Sequence, residues 1–301
     1  MKFELKLFSY YFLLLSIVFI SPSCKKDLED EKTYSNNSAI ESFLNSNKLS
    51  YTKEDGIYIH VNVPVYNYQI ASGDTVTFWY VAYTLNGLVF DTNIKSVAKD
   101  FDLDTNVRSF LPVKVIAGSG NLVEGVDKGL LFLKDKENAL ILFPSSLGYE
   151  GNAIGPIPIW SPLAYNIEII SVNGKSIQSE KNFIESLNLI SNGYTSDTSG
   201  LYIKNITLGT ISTTPSLNNT IYGQVKGTLP DGTVFDNKGA QSFILSKSDL
   251  PEGVKLGFLL TNNGGENSLV LPSYLGFGNK GNGTIKPYQT LYYDIKIDSI
   301  K

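Results

Sequence analysis

The 301-residue chain has one cysteine, one histidine and one methionine. With Cys24 alone there is no disulfide framework. With His60 as the single histidine, a Cys/His metal cluster or a Ser-His-Asp relay is not expected. His60 reads instead as a structural or surface residue of an aromatic strand. Positive charge is also in short supply: 25 Lys and Arg stand against 29 Asp and Glu, a net charge of −4. A phosphate backbone needs a basic footprint, so nucleic acid is not expected as a partner. The long apolar run at residues 8–20 covers 13 positions, short of the ~20 that a membrane-spanning helix needs. No cofactor is expected.

What the chain does have is 42% hydrophobic residues, with 18 Tyr and 16 Phe, and enough length for about two domains. Aromatic and β-branched residues favour strands. The pattern is written twice. Phe143-Pro144-Ser145-Ser146-Leu147-Gly148-Tyr149, Ile157 and the alternating Leu163-Ala164-Tyr165-Asn166-Ile167 return as Leu271-Pro272-Ser273-Tyr274-Leu275-Gly276-Phe277, Ile285 and Leu291-Tyr292-Tyr293-Asp294-Ile295, always 128 positions on. Upstream, Ile40 and Gly56 return as Ile184 and Gly200, 144 positions on, so a leading helix and strand belong to the repeat. Asn86-Gly87 before Val89-Phe90-Asp91 marks a hairpin, echoed by Asp231-Gly232 before Val234-Phe235-Asp236.

Each copy reads as several strands with one short helix, a curved antiparallel sheet wrapped around a helix, which is an α+β fold. Residues 39–49 predict a short amphipathic helix, and residues 92–111 an aperiodic, polar surface insertion peculiar to the first copy. Residues 174–181 read as a linker, so relative domain motion is the default. The expected organisation is a targeting segment at 1–24, a polar tether at 25–38, a first domain at 39–174 and a second at 175–301.

Lys2 and Lys6, the apolar run, and Ser21-Pro22-Ser23-Cys24-Lys25-Lys26 resemble a bacterial lipoprotein signal, although Ser21 stands where leucine is usual. That resemblance implies lipidation of Cys24, a membrane partner reached through the lipid, and an envelope location on the periplasmic or cell-surface face. The order of strand, hairpin, Val-Phe-Asp, strand, Leu-Val-x-Gly-x-x-x-Gly-Leu, strand, Pro-Ser-x-Leu-Gly-Tyr and Leu-x-Tyr-x-Ile-x-Ile resembles the FKBP family of peptidyl-prolyl cis-trans isomerases. The resemblance covers about residues 72–172 and 221–301.

It implies isomerisation of X-Pro bonds in exported or envelope polypeptides, with no nucleophile. On the first copy it places Tyr80, Phe90, Asp91, Val123 and Tyr149 in catalytic positions, with Val123 offering its N–H and Tyr149 its hydroxyl to the substrate. Val113, Leu122, Val126, Ile157 and Tyr165 would bind the prolyl ring. Val113 stands where the family often has Phe, and Val126 where it often has Trp. In the second copy Val225 replaces the strand tyrosine, Phe277 the loop tyrosine, and Pro251 removes the N–H. That copy is expected to be a poor catalyst. The alternative is a non-catalytic binding or assembly module of a membrane-anchored complex.

Overall fold

The computed structural model describes residues 22–107, 109–211 and 213–301. The first half contains α1 (Pro22–Ser46), β1 (Thr52–Glu54), β2 (Ile57–Val63), β3 (Thr75–Thr84), β4 (Val89–Thr92), α2 (Lys95–Asp100), β5 (Val113–Ile116), α3 (Glu124–Leu130), β6 (Asn138–Phe143) and β7 (Leu163–Asn173). The second contains α4 (Lys175–Ser186), β8 (Thr195–Ser196), β9 (Tyr202–Thr207), β10 (Thr220–Thr228), β11 (Val234–Ile244), α5 (Glu252–Leu259), β12 (Glu266–Leu271) and β13 (Leu291–Ile300). Both sheets are antiparallel. The first runs β1-β2-β6-β7-β3-β4, with β5 also on β3; the second runs β8-β9-β12-β13-β10-β11. Strand for strand these are the same sheet, except that β11 does alone what β4 and β5 do together. The fold is α+β, as the sequence implies.

The strand β6 is buried on both faces, which explains its unbroken apolar run. Ala139, Ile141 and Phe143 face the cluster under α3, while Leu140 and Leu142 face Ile40 and Leu44 of α1. The helices lie close because of paired glycines. A Cβ on Gly125 would come within 2.2 Å of the Phe143 ring, and one on Gly129 within 2.7 Å of Ile141. Gly253 and Gly257 of α5 stand in the same way over Leu271 and Leu269, at 2.6 and 2.4 Å. The Gly-x-x-x-Gly spacing of both copies is therefore a packing requirement of the helix on its sheet.

Three expectations are corrected. The stretch at 25–38 is not a tether but part of α1. Its polar residues are mostly the exposed side of a helix, and the buried Asn36 is bonded twice: its Oδ1 accepts from Ser145 N at 2.7 Å and its Nδ2 donates to Trp160 O at 3.0 Å.

Residues 174–181 are not a loose linker, because α4 starts two residues after β7 ends. Its Ile177 is buried in the first core, and seven residues later Ile184 packs in the second half. Between them the buried Glu180 accepts from Ser273 N at 2.7 Å, Ser273 Oγ at 2.6 Å and Thr290 Oγ1 at 2.9 Å. Tyr68 of the first half also meets the Tyr274 ring edge-on at 4.8 Å.

The insertion at 92–111 is not wholly surface: Thr92 and Asn93 are each 2% exposed, and α2 buries Ala98. The expected targeting segment up to residue 21 lies outside the described residues, and Cys24 falls in the first turn of α1. Among the described residues no helix is long and apolar enough to cross a membrane.

Candidate active site

The first sheet loses its regular edge at one place. β3 pairs with β5 from Thr75 to Phe78 and with β4 from Val81 to Tyr83, on the same side. The gap between is closed by side chains. Asn93 Oδ1 accepts from Tyr80 N at 2.8 Å, and its Nδ2 donates to Phe78 O and Leu111 O, both at 3.1 Å. Thr92 Oγ1 donates to Tyr80 O at 2.6 Å. A carboxamide thus replaces a stretch of ladder and ties both ends of the insertion to the strand.

Beside this gap opens a cavity of about 250 Å³, lined by Phe78, Tyr80, Asp91, Val113, Asn121, Leu122, Val123, Val126, Tyr149 and Tyr165. Eight of the ten residues singled out from the sequence reach its wall; Phe90 and Ile157 do not, and both are buried in the core cluster to which the wall belongs.

Tyr165 is the hub. Its ring stacks on Phe143 at 5.7 Å, meets Phe90 edge-on at 6.1 Å and lies 6.0 Å from Tyr80. Burial raises its pKa first, and the neighbouring Tyr149 hydroxyl adds to the rise, so its phenol stays protonated. The Tyr80 hydroxyl donates to Asp91 Oδ2 at 2.7 Å, and Asp91 Oδ1 accepts from Thr92 N at 3.0 Å. Both oxygens of that carboxylate are engaged at the cavity wall.

Val123 precedes α3, where backbone N–H groups have no intrahelical acceptor and are free to meet a ligand. The loop leading to it is fixed by Asp127, whose Oδ1 and Oδ2 accept from Gly118 N at 3.1 Å and Gly120 N at 2.8 Å. On the opposite rim, the loop carrying Tyr149 and Ile157 closes through Trp160 N to Glu150 O at 2.7 Å and Ile157 N to Ile154 O at 3.0 Å. Sequence reasoning missed Phe78, Asn93, Asn121 and Asp127. Asn93 and Asp127 look like ordinary polar surface residues; only their burial, 2% and 7% exposed, gives them away.

At the corresponding place in the second half lies a cavity of about 310 Å³ with Phe235, Asp236, Lys238, Asp249, Pro251, Phe277, Ile285 and Tyr293 on its wall. The register Val225↔Ile295 repeats Tyr80↔Ile167, so Val225 does occupy the strand tyrosine's place. A larger depression of about 450 Å³ along α4, from Lys175 to Thr290, is walled by helix and loop residues of mixed polarity.

An aromatic-walled cavity between a helix start and the edge of a curved sheet, present in two copies, defines the class. The profile described as FKBP-type peptidyl-prolyl cis-trans isomerase matches residues 67–170 and 212–298, well over half the chain. The chain belongs to that family, with tandem domains. It is similar to the mouse peptidyl-prolyl cis-trans isomerase FKBP10, 26% identical over 226 residues that cover 73% of this chain and 34% of that protein. It is similar also to human FKBP9, 26% identical over 258 residues covering 82% and 39%. The chain thus spans little more than a third of the length of these relatives. Among solved structures, a peptidyl-prolyl cis-trans isomerase of Pseudomonas syringae is 25% identical, covering 42% of this chain and 93% of its own, at a TM-score of 0.38.

Proposed function

We propose that the chain isomerises X-Pro bonds in polypeptides of the cell envelope, chiefly through the first cavity. The observation that carries this is the Tyr80–Asp91 hydrogen bond, with Tyr149 and Tyr165 neighbouring each other, on the wall of an apolar cavity that also includes Val123. The uncatalysed rotation faces a barrier of ~20 kcal/mol. An apolar cavity strips water from the imide. Aromatic edges surround the carbonyl as conjugation breaks, and the Tyr149 hydroxyl and Val123 N–H hold the flanking carbonyls. These contacts fit the twisted state better than either planar one, which is how a site without a nucleophile accelerates the step. In the second domain Pro251 has no N–H and Phe277 no hydroxyl, so we assign it little or no turnover.

The test is a cis-to-trans assay on an X-Pro tetrapeptide with the full chain, its Tyr149→Phe and its Asp91→Val variants. Faster-than-spontaneous conversion that falls in both variants supports the reading; spontaneous rates in all three abolish it. The binding-module reading gains from Val113 and Val126, which give the wall small side chains. It would be favoured by peptide affinity without turnover.

We further propose that Cys24 carries the lipid that tethers the chain to a membrane. Mass spectrometry of the mature protein, with Cys24→Ser as control, reads this directly: an N-terminus at Cys24 bearing acyl chains is expected, and an unmodified thiol in the wild type would refute it.

A further inference from the structure

The second cavity differs from the first in what its polar groups have left to do. In the first domain the Tyr149 hydroxyl lies close enough to act on Tyr165, and Asp91 receives the Tyr80 hydroxyl. In the second, Phe277 and Val225 stand at the donors' positions. Tyr293 is 1% exposed and its hydroxyl has no hydrogen-bond partner. Beside it is Asp236, whose negative charge acts on Tyr293 after burial has already raised that phenol's pKa. Among the described residues no donor meets the Asp236 carboxylate. Both groups line a cavity of about 310 Å³, at the lower end of the range of about 300–1,000 Å³ for small-molecule sites.

We propose that this cavity binds a neutral pyranose sugar. A prolyl ring would dry the Asp236 carboxylate and leave the already buried Tyr293 hydroxyl without a partner. A cation would enter beside Lys238, and an anion beside Asp236; both residues line the cavity. Lys238 lies 3.3 Å from the exposed Asp249, so charges of both signs already stand at the mouth. A sugar hydroxyl both donates and accepts, so it can give to Asp236 and take from Tyr293 or Lys238. The C–H face of the ring finds the rings of Phe235 and Phe277, much as apolar bodies with wet edges pack on aromatics. The proposal concerns the second domain and does not rest on isomerase activity in the first.

The test is ligand-observed and protein-observed NMR of the full chain with the methyl glycosides of glucose, galactose, mannose and N-acetylglucosamine. Choline, inorganic phosphate and an X-Pro tetrapeptide are the counter-probes. At least one glycoside is expected to shift resonances of the second domain saturably. Tyr293→Phe should weaken that binding by roughly 2–10-fold and Asp236→Ala by roughly tenfold or more. Tyr293→Phe removes an atom without a partner, so an unchanged melting temperature is expected and separates lost binding from lost fold. The proposal falls if none of the four glycosides shifts the second domain, or if binding survives both substitutions undiminished. It falls equally if choline, phosphate or the tetrapeptide takes this cavity in their place.

Discussion

The two halves of the chain have the same sheet order and the same glycine-notched helix, yet only one of them breaks its sheet edge. In the first, the strand opposite β3 is cut in two and Asn93 spans the gap. In the second, β11 runs unbroken for 11 residues along β10 and absorbs the difference as irregular register near Gly223 and Val225. Phe78 and Tyr80 look out through the first gap, whereas the second has Gly223 and Val225 at those places. A Cβ on Gly223 would meet Lys296 O at 2.3 Å, so the second copy cannot regain the missing ring by simple substitution. Duplication has kept the scaffold and let the edge and its hydroxyls diverge.

The comparison can be broken most severely at the helices. Gly125→Ala drives a methyl into Phe143, the ring on which Tyr165 stacks. A loss of about 1–3 kcal/mol is expected, with activity falling alongside, measured by denaturant unfolding and the X-Pro assay. Gly253→Ala should cost about as much stability and leave the isomerase rate unchanged. A fall in rate with Gly253→Ala would show that the halves are not separable in function.

Next in size is the hydroxyl pair. Tyr149→Phe removes the hydroxyl proposed to hold a substrate carbonyl, a hydrogen bond of ~0.5–1.5 kcal/mol, and takes from Tyr165 the hydroxyl that neighbours it. The rate should fall about 2–10-fold. The reverse exchange, Phe277→Tyr, should give the Tyr293 hydroxyl a partner and raise the second domain's stability by ~0.5–1.5 kcal/mol, seen as a later unfolding step. No gain would mean that the two loops do not superpose closely enough to share this contact.

The smallest expected effect separates Asn36 from Glu180, which bond the equivalent Ser145 and Ser273 amides. Burial raises the pKa of Glu180 above its ordinary 4.5, against the lowering effect of its hydrogen bonds. The folded chain therefore holds that proton more tightly than the unfolded chain. The stability this contributes is complete below 4.5 and is lost as pH climbs through the raised value. Glu180→Gln should flatten that part of a stability-against-pH curve, while Asn36→Ala should shift the whole curve down without changing its slope.

Much of this was legible before any coordinates, because a duplicated chain provides its own alignment. Residues that kept one offset through a loop and a strand, such as Ile157 with Ile285 and Tyr165 with Tyr293, had to hold equivalent places. The substitutions at 225, 251 and 277 stood out against that register. What escaped was polar structure. Asn93 sits in a polar, aperiodic stretch, and nothing in its neighbours says that its amide would stand in for backbone. The leading residues 25–38 and the junction at 174–181 look solvated because most of their side chains are; a few buried ones, Asn36, Ile177 and Glu180, decide the outcome. Period and composition report the apolar face of an element, and a single satisfied amide or carboxylate leaves no trace in either.

The helix α4 has a practical corollary for anyone wishing to study either half alone. Its first turn plugs the core of the first domain through Ile177, and its later turns brace the second through Glu180 and Ile184. No cut through this helix leaves both fragments whole. Ending the first fragment at residue 174 unplugs its core, and beginning the second after residue 180 strips the acceptor from Ser273 and Thr290. Fragments of this protein should therefore overlap, each carrying its own copy of residues 175–186.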